Sequence, residues 1–281
     1  MSLPKDWKSG SQKSKLRENN SEPISFKRKS AGDTTLPPEL LQEIFVNLPA
    51  HQVVRVCPLV CREWRALVNS ECLWKERCRR EGYKPGDEAG QDVVKGWKMF
   101  YFLSKDKRNL LKNTKAEEGL KYWNILSNKG DGWVTEEVRS PHPNEGTTQT
   151  FVSSYGPCIK SQLIDLRKEG YNHHIMDKFQ PDIRISDWYA PREDCACEYE
   201  IRVELLDKKK DALQAFSPKK VSFEQWSDEK WNKMTHVFRK YGQGVRYVKF
   251  VHGGNDRQYW KGWYGIRVTD SCVEIGPPED R

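Results

Sequence analysis

The chain has no apolar run approaching the ~18 residues that a membrane-spanning helix needs, so a transmembrane reading is excluded. Its first residues, Met1 to Gly10, are polar and charged and lack the roughly 7–15-residue apolar stretch of an export signal. The eight cysteines are therefore expected to be reduced thiols in a cytosolic or nuclear chain. Zinc-type spacing is missing as well. Three residues separate Cys57 from Cys61, five separate Cys72 from Cys78, and Cys195-Ala196-Cys197 is too tight. The adjacent His173 and His174 have no second ligand cluster beside them. No metal and no cofactor are expected, and the first four cysteines read as helix-packed. There is no glycine-rich phosphate loop and no Cys–His nucleophile signature. Neighbouring acids such as Glu117 and Glu118, or Asp228 and Glu229, read as solvated surface charge, not as an opposed hydrolytic pair. An enzyme is not expected.

Positive charge is in modest excess, 48 Lys and Arg against 40 Asp and Glu, a net of +8. Residues 1–33 hold eight basic and four acidic side chains, half of that excess, in a stretch rich in Ser, Lys and Asn. This composition reads as a disordered, solvated basic tail, and neither a nucleic-acid partner nor membrane insertion is expected of the chain. The remainder is aromatic-rich: the chain has 11 Trp, 11 Tyr and 10 Phe, which suits a packed protein. A length of 281 residues is enough for about two domains.

Composition changes sharply near Leu36. Leu40, Leu41, Ile44, Phe45 and Leu48 recur at helical spacing, with Pro37 and Pro38 at the start and Pro49 as the stop. A second amphipathic run extends from Val53 to Val68 and a third carries Leu73, Trp74 and Arg77. Three short helices over residues 34–82 leave an apolar surplus that implies a partner surface. Residues 83–113 read as a helical linker, with the helix running from Trp97 to Asn113. Beyond it, over 114–278, short alternating runs such as Tyr199–Leu205, Val245–Val251, Gly265–Val268 and Cys272–Ile275 argue for an antiparallel β-sandwich. As a chain the fold class is α+β.

Leu36-Pro37-Pro38-Glu39-Leu40-Leu41, Ile44-Phe45, Leu48-Pro49, Val60-Cys61-Arg62-Glu63-Trp64 and Leu73-Trp74-Lys75 together resemble an F-box. That resemblance implies docking onto the Skp linker protein of a cullin ubiquitin ligase of the SCF type. Leu36, Pro37, Leu40, Leu41, Ile44, Phe45, Leu48, Pro49 and Trp64 are the implied contacts. The second half is similar to the F-box-associated domain of sugar-recognising F-box proteins. The similarity rests on Gly132-Trp133, Phe151-Val152-Ser153-Ser154-Tyr155, Asp187-Trp188-Tyr189, His252-Gly253-Gly254 and Tyr259-Trp260-Lys261-Gly262-Trp263-Tyr264-Gly265. It implies a non-catalytic substrate receptor that binds the chitobiose core of N-glycans on misfolded glycoproteins. The implied place is the cytoplasm, at the cytosolic face of the endoplasmic reticulum. The alternative within the same class is a sandwich that reads a protein surface without sugar.

A pyranose presents C–H groups on one face and hydroxyls at its rim, so a site for it needs a flat aromatic with directional polar groups at the edge. Tyr259-Trp260-Lys261 supplies these in three consecutive residues. The resemblance implies stacking by Trp260, a wall and hydrogen bond from Tyr259, and a hydroxyl or carbonyl contact from Lys261. Tyr155 stands where the family usually has Phe, followed here by Gly156 and Pro157 in place of a bulkier pair. Asp194 is the expected carboxylate acceptor. Trp133, Trp188, Trp263 and Tyr264 are expected to pack instead of binding.

Overall fold

The computed structural model describes residues 36–85 and 96–278; the basic tail, 1–33, lies outside the described residues. Two compact units emerge, one of residues 36–84 with 96–101 and one of Pro85 with 102–278. Each is described by itself.

The first unit is helical: α1 (Pro38–Asn47), α2 (Ala50–Arg55), α3 (Arg62–Val68), α4 (Glu71–Glu81) and the first turn of α5 (Trp97–Lys105). Pro38 sits in the first turn of α1, where a missing N–H costs nothing. The run from Val53 to Val68, continuous by periodicity, is cut in two. Pro58 cannot donate to a helix and lies in a 3-10 turn over Cys57–Leu59, and Cys61 then caps α3 by accepting the Trp64 N–H at 3.5 Å. Ser70 caps α4 at its start and Gly82 closes it in the left-handed conformation. Phe45, Val53, Val68, Leu73, Trp74 and Tyr101 are buried together with Arg77. Arg77 donates from Nη1 to the Phe45 and Leu48 carbonyls at 3.0 and 2.8 Å, satisfying the free end of α1. Of the four cysteines expected to pack here, Cys57 and Cys78 are buried, whereas Cys61 and Cys72 are exposed.

The second unit contains β1 (Asn124–Asn128), β2 (Val134–Glu137), β3 (Gln149–Val152), β4 (Cys158–Asp165), β5 (Asp182–Ala190), β6 (Cys197–Leu206), β7 (Ala212–Phe216), β8 (Val221–Phe223), β9 (Asn232–Phe238), β10 (Tyr247–Asp256) and β11 (Arg267–Gly276). One sheet runs β1-β4-β10-β6-β7 with β8 also on β6; the other runs β2-β3-β11-β5-β9. Every pairing is antiparallel, which makes the α+β chain with its antiparallel two-sheet half a fact of structure. The runs at Gly265–Val268 and Cys272–Ile275 are one strand, β11, interrupted by a bulge at which Asp270 takes a φ of 50°. The helix from Trp97 stops at Lys105 instead of reaching Asn113. Beyond it the chain is claimed by β11: Leu110 N–H donates to the Val273 carbonyl at 2.8 Å, and the Asn109 amide donates to the Ser271 carbonyl at 2.8 Å.

Inward positions of the sheets are mostly apolar, among them Val203, Val248, Phe250, Ile183, Ile185, Val268 and Val273. Among the buried polar positions, five join in one network across the two sheets. Lys160 (β4) and His252 (β10) are register partners, and Lys160 Nζ meets His252 Nε2. His252 Nδ1 lies 2.6 Å from Asp187 Oδ2 on the facing sheet, which also accepts the Tyr199 hydroxyl at 2.7 Å. The Ser271 hydroxyl donates to Asp187 Oδ1 at 2.7 Å. Burial holds His252 down to about 4 and so neutral near pH 7. Its single ring proton then faces Asp187 and its Nε2 accepts from Lys160. Lys160 lies 3.6 Å from the Trp123 ring centre and 3.9 Å from that of Phe151, and burial pushes its amine well below the ordinary lysine range. All five residues come from strands that enter or leave the loops described next.

Candidate functional site

Five loops meet at one end of the sandwich: 129–133 after β1, 153–157 after β3, 191–196 after β5, 224–231 after β8 and 257–266 after β10. The last carries Tyr259, Trp260 and Lys261. Asp256, fully buried at the end of β10, accepts the Gln258 and Tyr259 N–H groups on Oδ1 at 2.9 and 2.5 Å. This turn holds Tyr259 at a φ of 59°, a conformation that bulky residues rarely adopt. Burial raises the Asp256 carboxyl, while its backbone N–H partners pull it back. At the far side of the loop, Gly262 (φ 115°) donates its N–H to Asp131 Oδ2 at 2.8 Å. Asp131 is itself placed by Ser154, whose hydroxyl oxygen accepts the Asp131 N–H at 2.9 Å and whose carbonyl accepts the Asp256 N–H at 2.9 Å. The loop is thus pinned at both ends by hydrogen bonds, and its rings are left outside: Tyr259 is 78% and Trp260 40% exposed.

The other expected residues converge on this loop. Trp260 packs edge-on against Tyr264, with ring centres 5.6 Å apart. The Arg192 guanidinium lies 4.7 Å from the Tyr264 ring centre and donates from Nε to Asp194 Oδ1 at 3.2 Å. A chain of contacts therefore joins Trp260 to Asp194, whose side chain stays partly open to solvent. Tyr155 is half-buried on the opposite flank, beside the 129–133 loop that braces Gly262. Gly156 is there by necessity: a Cβ on it would come within 2.6 Å of the Gly130 nitrogen and 2.7 Å of the Lys129 carbonyl carbon. Lys261 is exposed. Around the open rings of this loop stand a carboxylate partly open to solvent, a half-buried phenol and an exposed lysine, groups of the kind that contact a polar ring compound.

Of the four aromatics expected to pack, Trp133 is buried and Trp188 and Tyr264 are half-buried. Trp263 departs from that expectation, since it is 40% exposed, as open as Trp260. The Gly262 bend between the two indoles lets both reach the surface. Asp131 and Ser154, which set the loop, were not legible as site residues. The Ser-Ser pair was visible only as a motif, and no local pattern links Asp131 to a glycine 131 positions on. Among the described residues no cluster of three or more His, Cys, Asp or Glu is placed to hold a metal ion.

In the helical unit, Leu36, Pro37, Leu40, Ile44 and Pro49 face solvent, while Leu48 and Trp64 are half-buried. Leu41 and Phe45 are in the core, with Trp64 edge-on to Phe45 at 4.9 Å. Val56, Leu59 and Val60, members of the amphipathic run from Val53 to Val68, extend the exposed apolar face around the 3-10 turn.

Residues 101–275 match the family described as F-box associated region, and residues 34–80 match one described as F-box-like. The chain is similar to F-box only protein 6 from Bos taurus, 47% identical over 85% of this chain and 91% of that protein. It is also similar to F-box only protein 44 from Homo sapiens (44% identical, 86% and 96% covered) and to F-box only protein 2 from Bos taurus (43%, 86% and 83%). Solved structures overlay more loosely. A xylan-binding domain from Paenibacillus barcinonensis Xyn10C matches at a TM-score of 0.37 and 13% identity, over 61% of this chain and 97% of that one, too distant to bear on ligand or function. With both halves matched in order and relatives aligned nearly end to end, the chain belongs to the F-box proteins that carry an F-box-associated region, a family of non-catalytic adaptors.

Proposed function

We propose that the chain is the substrate receptor of an SCF-type cullin ubiquitin ligase and binds the chitobiose core of N-glycans on misfolded glycoproteins. The helical unit docks onto the Skp linker protein. Its exposed Leu36, Leu40, Ile44, Val56, Leu59 and Val60 form an apolar face of the sort that a helix-in-groove association buries. The sandwich holds the sugar. The observation that carries this half is the open pair of rings, Tyr259 and Trp260, on a loop fixed by Asp256 and Asp131. Preorganised aromatic faces need no rearrangement on binding, so little ordering entropy is lost. Trp260 takes the C–H face of one ring, and Tyr259, Tyr155, Lys261 and Asp194 take hydroxyl and acetamido groups around it. Such glycans become accessible when the surrounding polypeptide unfolds, and the proposed place of action is the cytoplasm, at the cytosolic face of the endoplasmic reticulum.

The test is titration of chitobiose into the full chain and its Trp260→Ala variant, with the melting temperature as a folding control. Binding by the parent and a loss of at least about tenfold in the variant, at unchanged melting temperature, is the expected result. No binding by the parent removes the glycan reading and leaves an adaptor that reads a protein surface.

A further inference from the structure

The end of the sandwich holds one more open indole that the loop just described does not include. Trp226, in the 224–231 loop, is 72% exposed and sits at a φ of 67°, so it shares with Tyr259 both exposure and the left-handed backbone. Its loop is tied to the two that carry Asp194 and Tyr259. Trp226 N–H donates to the Glu193 carbonyl at 2.7 Å, and the Gln225 side-chain amide donates to the Asp194 carbonyl at 3.1 Å. Glu224 accepts from Arg257 Nη1 at 2.6 Å, two residues before Tyr259, and Ala196 N–H donates to Gln258 Oε1 at 3.2 Å. Around the rim the order is therefore Trp226, then Glu193 and Asp194, then Tyr259, Trp260 and Lys261, then Asp131, with Tyr155 beside it. Trp226 and Tyr155 stand at opposite flanks of this row.

From this order we infer that Trp226 is the stacking platform of a separate subsite for a further pyranose ring of the same oligosaccharide, beyond the disaccharide held at Trp260. The inference rests on the glycan reading above. A polar rim already accompanies the indole, with Glu193 exposed beside it and Asp194 between it and Tyr259. An indole face with carboxylates at its edge suits the C–H face and hydroxyls of a sugar. Because three loops are cross-linked by hydrogen bonds, the two platforms keep a set spacing, and a ligand that spans both gains from the second without a new ordering cost.

The experiment compares free chitobiose with a mannose-extended chitobiose oligosaccharide on the full chain, by calorimetric titration, for the parent and for Trp226→Ala and Trp226→Tyr. The parent is expected to bind the longer glycan about three- to tenfold more tightly. Trp226→Ala removes that gain and leaves chitobiose affinity and melting temperature unchanged, and Trp226→Tyr restores part of it. Equal weakening toward both glycans, or toward neither, overturns the subsite. So does weakening seen only with a denatured glycoprotein, which would make Trp226 a contact for polypeptide. A parent that binds chitobiose with no gain from length overturns this inference alone, whereas a parent that binds neither glycan overturns it together with the glycan reading.

Discussion

Acid should loosen the sandwich well before its carboxylates are protonated, and His252 is the reason. The ring is fully buried between Lys160 and Asp187, and burial holds it down to about 4, against an ordinary value of 6.5. A histidine whose folded value is depressed binds fewer protons folded than unfolded, so its contribution is complete above pH 6.5 and is lost as pH falls from there toward 4. Between pH 7.5 and 5.5 the linkage relation gives a loss of about 1–2 kcal/mol. Lys160, also pushed down by burial, contributes with the same sign. The more exposed His142 and His236 are lowered by burial as well and add smaller amounts in that direction. Asp106 and Asp256, raised by burial, act oppositely at lower pH, which is why the window stops at 5.5. Urea unfolding at the two pH values is the measurement, repeated on His252→Gln, which should flatten the dependence by about the amount given. Nuclear magnetic resonance of the parent supplies a second readout that needs no variant: the His252 ring should stay neutral at pH 5.5. A ring that titrates near 6.5, or an unchanged slope in the variant, refutes the reasoning. Because β5, β6 and β10 carry this network and lead into the 191–196 and 257–266 loops, the loss would be felt at the candidate site.

Three other outcomes follow from the geometry. Asp131→Ala removes the acceptor of the Gly262 N–H; since Asp131 is exposed, unfolding free energy should fall by no more than about 1 kcal/mol, while glycan affinity drops several-fold through loss of loop order, as calorimetry would show. Leu59→Asp, at a position 77% exposed, should abolish capture of the Skp linker in a pull-down without altering the melting temperature. Arg77→Met leaves the Phe45 and Leu48 carbonyls without their donor and should destabilise the helical unit by about 1–3 kcal/mol, read from the denaturant transition of that unit.

Local chemistry made much of this protein legible in its sequence. Pro37 and Pro38 mark the start of the first helix and Pro49 its stop, because a missing N–H costs nothing in the first turn and cannot continue a helix beyond it. Alternation in Tyr199–Leu205 and Val245–Val251 announced strands because side-chain direction repeats every second residue. Tyr259-Trp260-Lys261 stood out because its chemistry is contiguous. What local pattern could not reach was decided by distance in the chain. The helix from Trp97 ends early because Asn109 and Leu110 bond to a strand more than 160 positions away. Leu41 and Phe45 share a helical stripe with Leu40 and Ile44 in sequence, yet only packing against the other helices, Trp64 of α3 among the contacts, determines which pair is buried. Lys160, Asp187, Tyr199, His252 and Ser271 lie on five separate strands, and only the closing of two sheets brings their donors and acceptors together. The rim from Trp226 to Tyr155 has the same origin, since hydrogen bonds between separate loops, and no spacing within one, set which aromatic faces remain open to water.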